Sequence, residues 1–159
     1  MRHQLAVFFP LLLLLLFQLL FLVPAQAFGS HGMITIESRH SVQITADRLE
    51  PILEEKGMTV FSRIDHAAGA AGIGETLRPT VLFIFGNPKV GTALMKCGQT
   101  AGIDLPLKIL IWEDDSGLVK LSYNDPRYIA DRHGINDCGQ VVEKMTGALK
   151  EFAEKATKK

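Results

Sequence analysis

Two histidines are the residues best suited by type to do chemistry in this 159-residue chain. His66 follows Asp65 at the end of a predicted strand, and His133 closes the short segment ADRH. An imidazole can act as a general base near neutral pH or ligate a borderline metal ion. We expect His66 and His133 to approach one another in one ligand-binding or metal site beside Asp65. The alternative is that Asp65 caps the following loop and that His66 makes only structural hydrogen bonds.

The stretch LFIFGNPKVGTAL comes close to a phosphate-binding loop, because Gly86 and Gly91 are five residues apart and Thr92 follows. That loop requires a lysine between its second glycine and the threonine, and this chain has none there. The stretch is therefore interpreted as a strand followed by a helix, with Asn87 as the cap and Pro88 in the first position. Free N–H groups at a helix start favour a small anion, so Asn87 joins the predicted ligand-binding residues.

The chain contains two cysteines, Cys97 and Cys138. In an oxidising compartment, two cysteines suggest a single disulfide bridge. Both also fall on apolar faces of predicted helices, where a free thiol packs well. A bridge and two buried thiols therefore both remain open on the sequence alone.

Two functional hypotheses follow from these residues. The first is a non-catalytic module that binds a small ligand, a metal or a partner protein. The second is an enzyme that uses His66 as its acid–base group and the helix start near Asn87 as an anion site. We assign no catalytic residues and no cofactor, since no serine-hydrolase, zinc-protease or C-x-x-C motif occurs. The chain has 17 basic and 17 acidic residues, a balance that gives no indication of a nucleic-acid partner.

The first 27 residues have the pattern of a secretory signal peptide. A short polar head is followed by an apolar run that ends in Ala25-Gln26-Ala27. We expect cleavage after Ala27, a single domain over residues 28–159 and a periplasmic or secreted location. The alternative is an uncleaved segment that anchors the protein in the membrane, because the apolar run is long enough to span a bilayer.

Apolar periodicity beyond the leader predicts the order β-α-β-β-α-β-β-α-α. The turn DDSG between LPLKILIWED and GLVKLSY is typical of a hairpin, which makes part of the sheet antiparallel. We therefore predict an α+β fold with helices packed on one face of a mostly antiparallel sheet. Pro51 lies inside the first predicted helix and is expected to kink or break it.

Several motifs occur in a characteristic order: TVFSRIDHAAGA, LRPT, FGNPKVGTALM, AGIDLPLKILIWED and LSYNDPRYIADRHG. In these the chain resembles the family known as domain of unknown function 302, from about Ile34 to Phe152. The resemblance implies a curved antiparallel sheet similar to TATA-binding-protein-like folds, often a homodimer, and no established activity. Cys97 and Cys138 lie outside the family pattern. The residues on the family motifs are Asp65, His66, Asn87, Pro88, Gly91, Asp104, Pro106, Trp112, Asn124, Pro126 and His133.

Overall fold

A computed structural model describes residues 32–158 of the chain. The expected signal peptide and its cleavage site lie outside these residues. The strands are β1 (Met33–Glu37), β2 (Thr59–Asp65), β3 (Thr80–Gly86), β4 (Leu107–Glu113) and β5 (Val119–Asn124). The helices are α1 (Val42–Glu55), α2 (His66–Ala71), α3 (Pro88–Cys97), a 3-10 helix (Gln99–Ile103), α4 (Pro126–Arg132) and α5 (Gly139–Thr157).

The five strands form one sheet in the order β1-β5-β4-β3-β2, and every neighbouring pair is antiparallel. The predicted α+β class with an antiparallel sheet is therefore confirmed. The DDSG turn joins β4 to β5, as the hairpin pattern predicts. Pairing between β2 and β3 shifts register between Val60 and Ser62, so that Phe61 occupies a β-bulge.

Alternating side chains divide the sheet into an inner and an outer face. On β3, Val81, Phe83 and Phe85 are buried, whereas Leu82 and Ile84 between them are only partly buried. Helices α1 and α5 cover the inner face and complete the main core. From the helices, that core includes Val42, Ala46, Leu49, Leu53, Leu149, Phe152, Ala153 and Ala156.

A second, smaller core lies beside the first and is built around the amino-terminal half of α5. Val142 and Met145 of α5 pack there with Leu94 of α3 and Ile129 of α4. The same helix therefore contributes to both cores. The apolar stripe predicted for the last helix is confirmed at Val142, Met145, Leu149 and Phe152, all of which are buried.

Helix α1 runs without interruption from Val42 to Glu55 through Pro51, so the predicted break at Pro51 is wrong. A proline in a helix interior costs about 3 kcal/mol. Four apolar side chains of α1 are fully or almost fully buried on the inner face, and each such burial contributes about 1.5–3 kcal/mol for a residue as large as leucine. Pro51 itself is exposed on the opposite face, where its ring meets no packing constraint. Tertiary packing therefore outweighs the local preference.

The carboxyl end of α5 is held by Arg48 of α1. Its guanidinium donates hydrogen bonds to the carbonyls of Lys155, Ala156 and Lys158, at 3.0, 3.1 and 2.7 Å. Helix ends leave their last carbonyls without intrahelical donors, and a cation there also complements the helix dipole. This contact fixes α5 against α1 and thereby against the sheet.

Asp114 organises the β4–β5 turn. One carboxylate oxygen accepts hydrogen bonds from the N–H groups of Ser116 and Leu118 and from the Ser116 hydroxyl, at 3.0, 2.9 and 2.7 Å. The other oxygen pairs with the Lys120 ammonium at 2.5 Å. The hydrogen bond from Lys120, with those from Ser116 and Leu118, holds the pKa of Asp114 well below its ordinary value.

We expect Asp114→Asn to lower the melting temperature at pH 7 by about 3–5 °C and to flatten its dependence on acid. The unfolded carboxyl titrates near 3.8, whereas the folded one stays charged to lower pH. As the pH falls below about 4, the unfolded state of the wild type binds the extra proton, so the wild type loses this stabilisation. An asparagine does not titrate and has no such contribution to lose. Melting curves at pH 7 and pH 3 provide the measurement.

The matched control is Asp115→Asn, which removes an exposed carboxylate from the same turn. It should change the melting temperature at neither pH. Equal effects of the two substitutions would contradict the role given to Asp114.

Candidate functional site

The two predicted histidines lie at opposite ends of the sheet. His66 directly follows Asp65, the last residue of β2, which pairs with Val81 near the start of β3. His133 follows α4, and its side chain contacts Asp104, which precedes β4. The first residue of β4, Leu107, pairs with Phe85 near the end of β3.

Val81 and Phe85 are four residues apart, which corresponds to about 13 Å along the strand. His66 and His133 lie beyond the two ends of that interval, so the predicted site shared by these histidines is not formed. Among residues 32–158, no three His, Cys, Asp or Glu side chains cluster as metal ligands. Residue types and predicted elements do not specify which strand ends meet, so the separation of the two histidines becomes visible only in the fold.

Asp65 caps helix α2, since its carboxylate accepts a hydrogen bond from the N–H of Ala68 at 2.9 Å. This is the alternative that the sequence left open for Asp65. His66 occupies the first position of that short helix and is exposed. The end of the sheet that carries Asp65 and His66 therefore presents a capped helix start.

His133 joins α4 to the 3-10 helix through both of its ring nitrogens. Nε2 lies 2.7 Å from the Asp104 carboxylate and Nδ1 lies 3.0 Å from the Thr100 hydroxyl. Arg132 donates a second bond to Asp104 at 3.1 Å, and the His133 side chain is only 8% exposed. The order carboxylate, imidazole, hydroxyl is that of a base–nucleophile relay. Here these contacts connect the end of α4 to the 3-10 helix and to Asp104, which follows it. Both ring nitrogens of His133 are engaged in them, so neither is available to a metal ion.

Asn87 lies at the end of the sheet nearer His133, far from His66. As predicted, it caps α3, with its side-chain oxygen accepting from the N–H of Lys89 at 2.9 Å. Its backbone carbonyl accepts from the N–H groups of Val90 and Gly91. Pro88 has no N–H. The first turn of α3 therefore has no free backbone donor, and the anion site predicted from backbone N–H groups at this helix start is wrong.

An apolar cleft opens beside Asn87, at this end of the sheet. Its volume is about 420 Å³, which is in the range of small-molecule sites. One wall is α3, the opposite wall is α5, and the floor is formed by strand ends and the segment before β4. The lining is mostly hydrophobic, and its apolar members include Met58, Phe61, Val90, Met95, Leu105, Pro106, Leu107, Met145, Ala148, Leu149 and Phe152.

Small residues keep the cleft open. Gly86 and Gly91, the two glycines of the phosphate-loop-like stretch, both line it. A Cβ atom at Gly91 would lie 3.6 Å from Leu105, and one at Gly86 would lie 3.5 Å from Phe61. Any longer side chain at either position would therefore extend into the cleft or displace its lining. These glycines bound an apolar space, not a phosphate group.

Phe61 shows how the fold exposes this surface. It stands in the bulge of β2 and is 55% exposed although it is aromatic. Phe61, Met95 and Ala148 were not predicted as site residues, because the cleft draws on six separate elements: β2, β3, α3, the 3-10 helix, β4 and α5. The spacing of Gly86 and Gly91 is the signal that the sequence does contain, and it is equally compatible with an open apolar space.

Cys97 and Cys138 are paired as a disulfide, with their Cα atoms 6.3 Å apart. Cys97 is the last residue of α3 and Cys138 caps the start of α5. The pair therefore connects the two helices that form opposite walls of the cleft. Of the two possibilities that the sequence left open, the structure contains the bridge.

Comparison with known families gives one match over most of the chain. A family model described as "Domain of unknown function DUF302" matches residues 34–152. A crystal structure of an uncharacterised conserved DUF302 protein from Bacillus stearothermophilus has the same fold. Its TM-score is 0.71 at 17% identity, over 79% of this chain and 98% of that one.

Curated relatives from Brucella are more similar in sequence. "Fluoride-specific ion channel FluC 1" of Brucella suis biovar 1 is 44% identical over 134 residues, which is 82% of this chain and 53% of that protein. The protein of the same name in Brucella abortus biovar 1 is also 44% identical, over 50% of its length. The chain thus spans about half the length of these relatives. Within residues 32–158, none of the helices has the length and apolar character needed to cross a bilayer.

We expect denatured, unreduced protein to titrate no free thiol, and reduced protein to titrate two. The double variant Cys97→Ser, Cys138→Ser should lose about 3–4 kcal/mol of unfolding free energy in the chain-entropy model, because the bridge joins residues 41 apart. Urea denaturation measures this loss, and wild type with reductant should show the same loss. Two free thiols in unreduced protein would contradict the bridge.

Proposed function

This chain belongs to the DUF302 family of domains of unknown function, and on that premise we propose that it is a non-catalytic binding module. Its binding site is the cleft between α3 and α5, and its ligand is a small molecule with an apolar body. The observation that carries this proposal is a cleft of about 420 Å³ with an almost wholly apolar lining. Exposure of apolar surface to water costs free energy. A ligand that covers the lining of the cleft removes this surface from water, and its burial stabilises the complex.

The lining supports binding more than catalysis. The polar side chains of the cleft are Asn87, Thr92 and Lys144. Both polar atoms of the Asn87 amide already have hydrogen-bond partners within the protein. Its oxygen caps α3, and its amide nitrogen donates to the carbonyl of Gly57 at 2.9 Å. No carboxylate or imidazole lines the cleft to exchange a proton with a ligand.

The alternative enzyme, with His66 as its acid–base group, gains little support from this geometry. His66 is exposed at the opposite end of the sheet and cannot reach a molecule held beside Asn87. The relay of Asp104, His133 and Thr100 is closer to the cleft, but none of its three members lines it. The cleft and the histidines are therefore separate features.

Export remains part of the proposal, on the leader pattern of the first 27 residues. A periplasmic or secreted location agrees with a paired Cys97 and Cys138, because disulfides persist in oxidising compartments. An exported module would bind its apolar ligand in the oxidising compartment in which the disulfide is stable.

A homodimer is the second part of the proposal, and the outer face of the sheet is its interface. That face carries apolar side chains from three adjacent strands that α1 and α5 leave partly exposed, since both helices pack on the inner face. Register places Leu110 at its centre, opposite Leu82 on one side and Ser122 on the other. The outer-face apolar residues are Ile64, Leu82, Ile84, Leu110 and Trp112. Two copies stacked through this face would bury them.

Filling the cleft should abolish binding of a neutral apolar probe. We expect Ala148→Phe to raise the dissociation constant of N-phenyl-1-naphthylamine by at least about tenfold, because the new ring occupies the probe's space. Fluorescence titration measures the constant, and circular dichroism checks the fold. Gly91→Leu fills the cleft from the opposite wall and replaces Ala148→Phe if that variant fails to fold.

The matched control is Gly147→Phe, one position earlier on α5, where an added side chain meets open space. It should bind the probe as the wild type does. Wild-type protein that does not bind the probe, or cleft variants that bind it equally well, would contradict the proposed site.

Disrupting the outer face should yield a monomer. We expect wild-type protein to sediment as a dimer and Leu110→Lys to sediment as a monomer with an unchanged circular dichroism spectrum. A lysine ammonium at the centre of an apolar interface would have to lose its hydration without a partner. Ile103→Lys, at an exposed position on the 3-10 helix, should leave the dimer intact. A monomeric wild type would contradict this interface.

A further inference from the structure

We propose that the ligand is a single-chain amphipathic anion, with its apolar chain in the cleft and its acidic head group against Lys144 and Lys89. The inference rests on the proposed function of the cleft and specifies the class of molecule that fills it. It follows from the shape of the cleft mouth and from the charges around that mouth.

A second, smaller depression of about 280 Å³ adjoins the cleft. The two spaces share Val90 of α3 and Lys144 of α5, so they lie side by side, and a molecule seated in the cleft can place one end against Lys144 at the border between them. The smaller space is lined by two lysines and a glutamine as well as apolar groups: Lys89, Val90, Ala93, Gln140, Val141 and Lys144. The cleft is thus almost wholly apolar, and the adjoining space adds two ammonium groups and an amide, which together match the polarity of an amphiphile.

Lys89 and Lys144 differ from four other lysines of the described residues, which pair with carboxylates. Lys56 and Lys155 share Glu151, Lys120 pairs with Asp114, and Lys158 pairs with Glu154. Neither Lys89 nor Lys144 has a carboxylate partner within 4 Å among residues 32–158. Both ammonium groups are therefore available to a ligand.

No carboxylate lines either space to repel an anion. The amide of Gln140 can donate a hydrogen bond to an acidic head group. The charged side chains that line the two spaces, Lys89 and Lys144, thus both favour a negative head group.

Decanoate and decanol test the head group, because they share an apolar chain and differ mainly in charge. Each is titrated against protein loaded with N-phenyl-1-naphthylamine, below its micelle-forming concentration, and displacement is followed by fluorescence. We expect decanoate to bind about fivefold to tenfold more tightly than decanol, as two solvent-exposed ion pairs allow. Decyltrimethylammonium should bind more weakly than decanol.

Lys144→Met should remove most of this preference. The variant keeps an unbranched apolar stem in the wall but lacks the ammonium, so decanoate affinity should fall about threefold or more while decanol affinity stays the same. The matched control is Lys150→Met, an exposed lysine of the same helix that lines neither space. It should preserve the preference for decanoate.

The outcomes separate this inference from the function on which it rests. If decanol binds as tightly as decanoate, the head-group assignment fails and the apolar cleft stands. If none of the three amphiphiles displaces the probe, the proposed cleft function fails as well.

Sodium chloride and sodium fluoride at equal concentration should weaken decanoate binding equally, since both act by screening. Displacement specific to fluoride would show a small-anion site at the mouth and would overturn the inference.

Discussion

The architecture depends on one requirement, which is that helix α5 must bury its apolar stripe in two cores at once. Leu149 and Phe152 pack against the inner face of the sheet, whereas Val142 and Met145 pack against α3 and α4. A helix of 19 residues is long enough to reach both, at about 1.5 Å per residue. Arg48 secures its carboxyl end to α1, and Cys138 secures its start to α3. The cleft lies along α5 where the helix passes from one core to the other.

Sequence patterns predicted the parts of the fold that local periodicity controls. The stripe of α5 has a helical repeat, the hairpin around DDSG has a turn signal between two apolar runs, and the strand ending at Gly86 is a short apolar run bounded by turn residues. The prediction of a break at Pro51 was wrong because it counted only the local cost of a proline in a helix. The free energy that α1 gains by burying its apolar face comes from tertiary contacts, which local sequence does not show. The fold class therefore followed from the sequence, while the continuity of α1 required the tertiary packing of Leu49 and Leu53.

The candidate site could not be predicted in the same way. Asp65 and His66 are adjacent in sequence, yet strand direction places them far from Asn87, which β2 and β3 leave at the other end of the sheet. His133 contacts Asp104, which lies 29 residues earlier in the chain, and no sequence motif relates two residues at that separation. The glycines at 86 and 91 were visible, but their effect depends on Leu105 and Phe61, which approach them only in the folded chain. A cleft composed of residues from several elements has no sequence spacing of its own.

The bridge between Cys97 and Cys138 also determines what a protease can do to this domain. The segment that it encloses contains β4, the exposed turn at residues 115–117, β5 and α4. A single cut in that turn would divide the backbone but not the molecule, because the disulfide joins the two fragments covalently. Both strands of the hairpin would also keep their other neighbours, β3 and β1. A domain nicked in this turn would therefore migrate as one species until a reductant separates its two fragments.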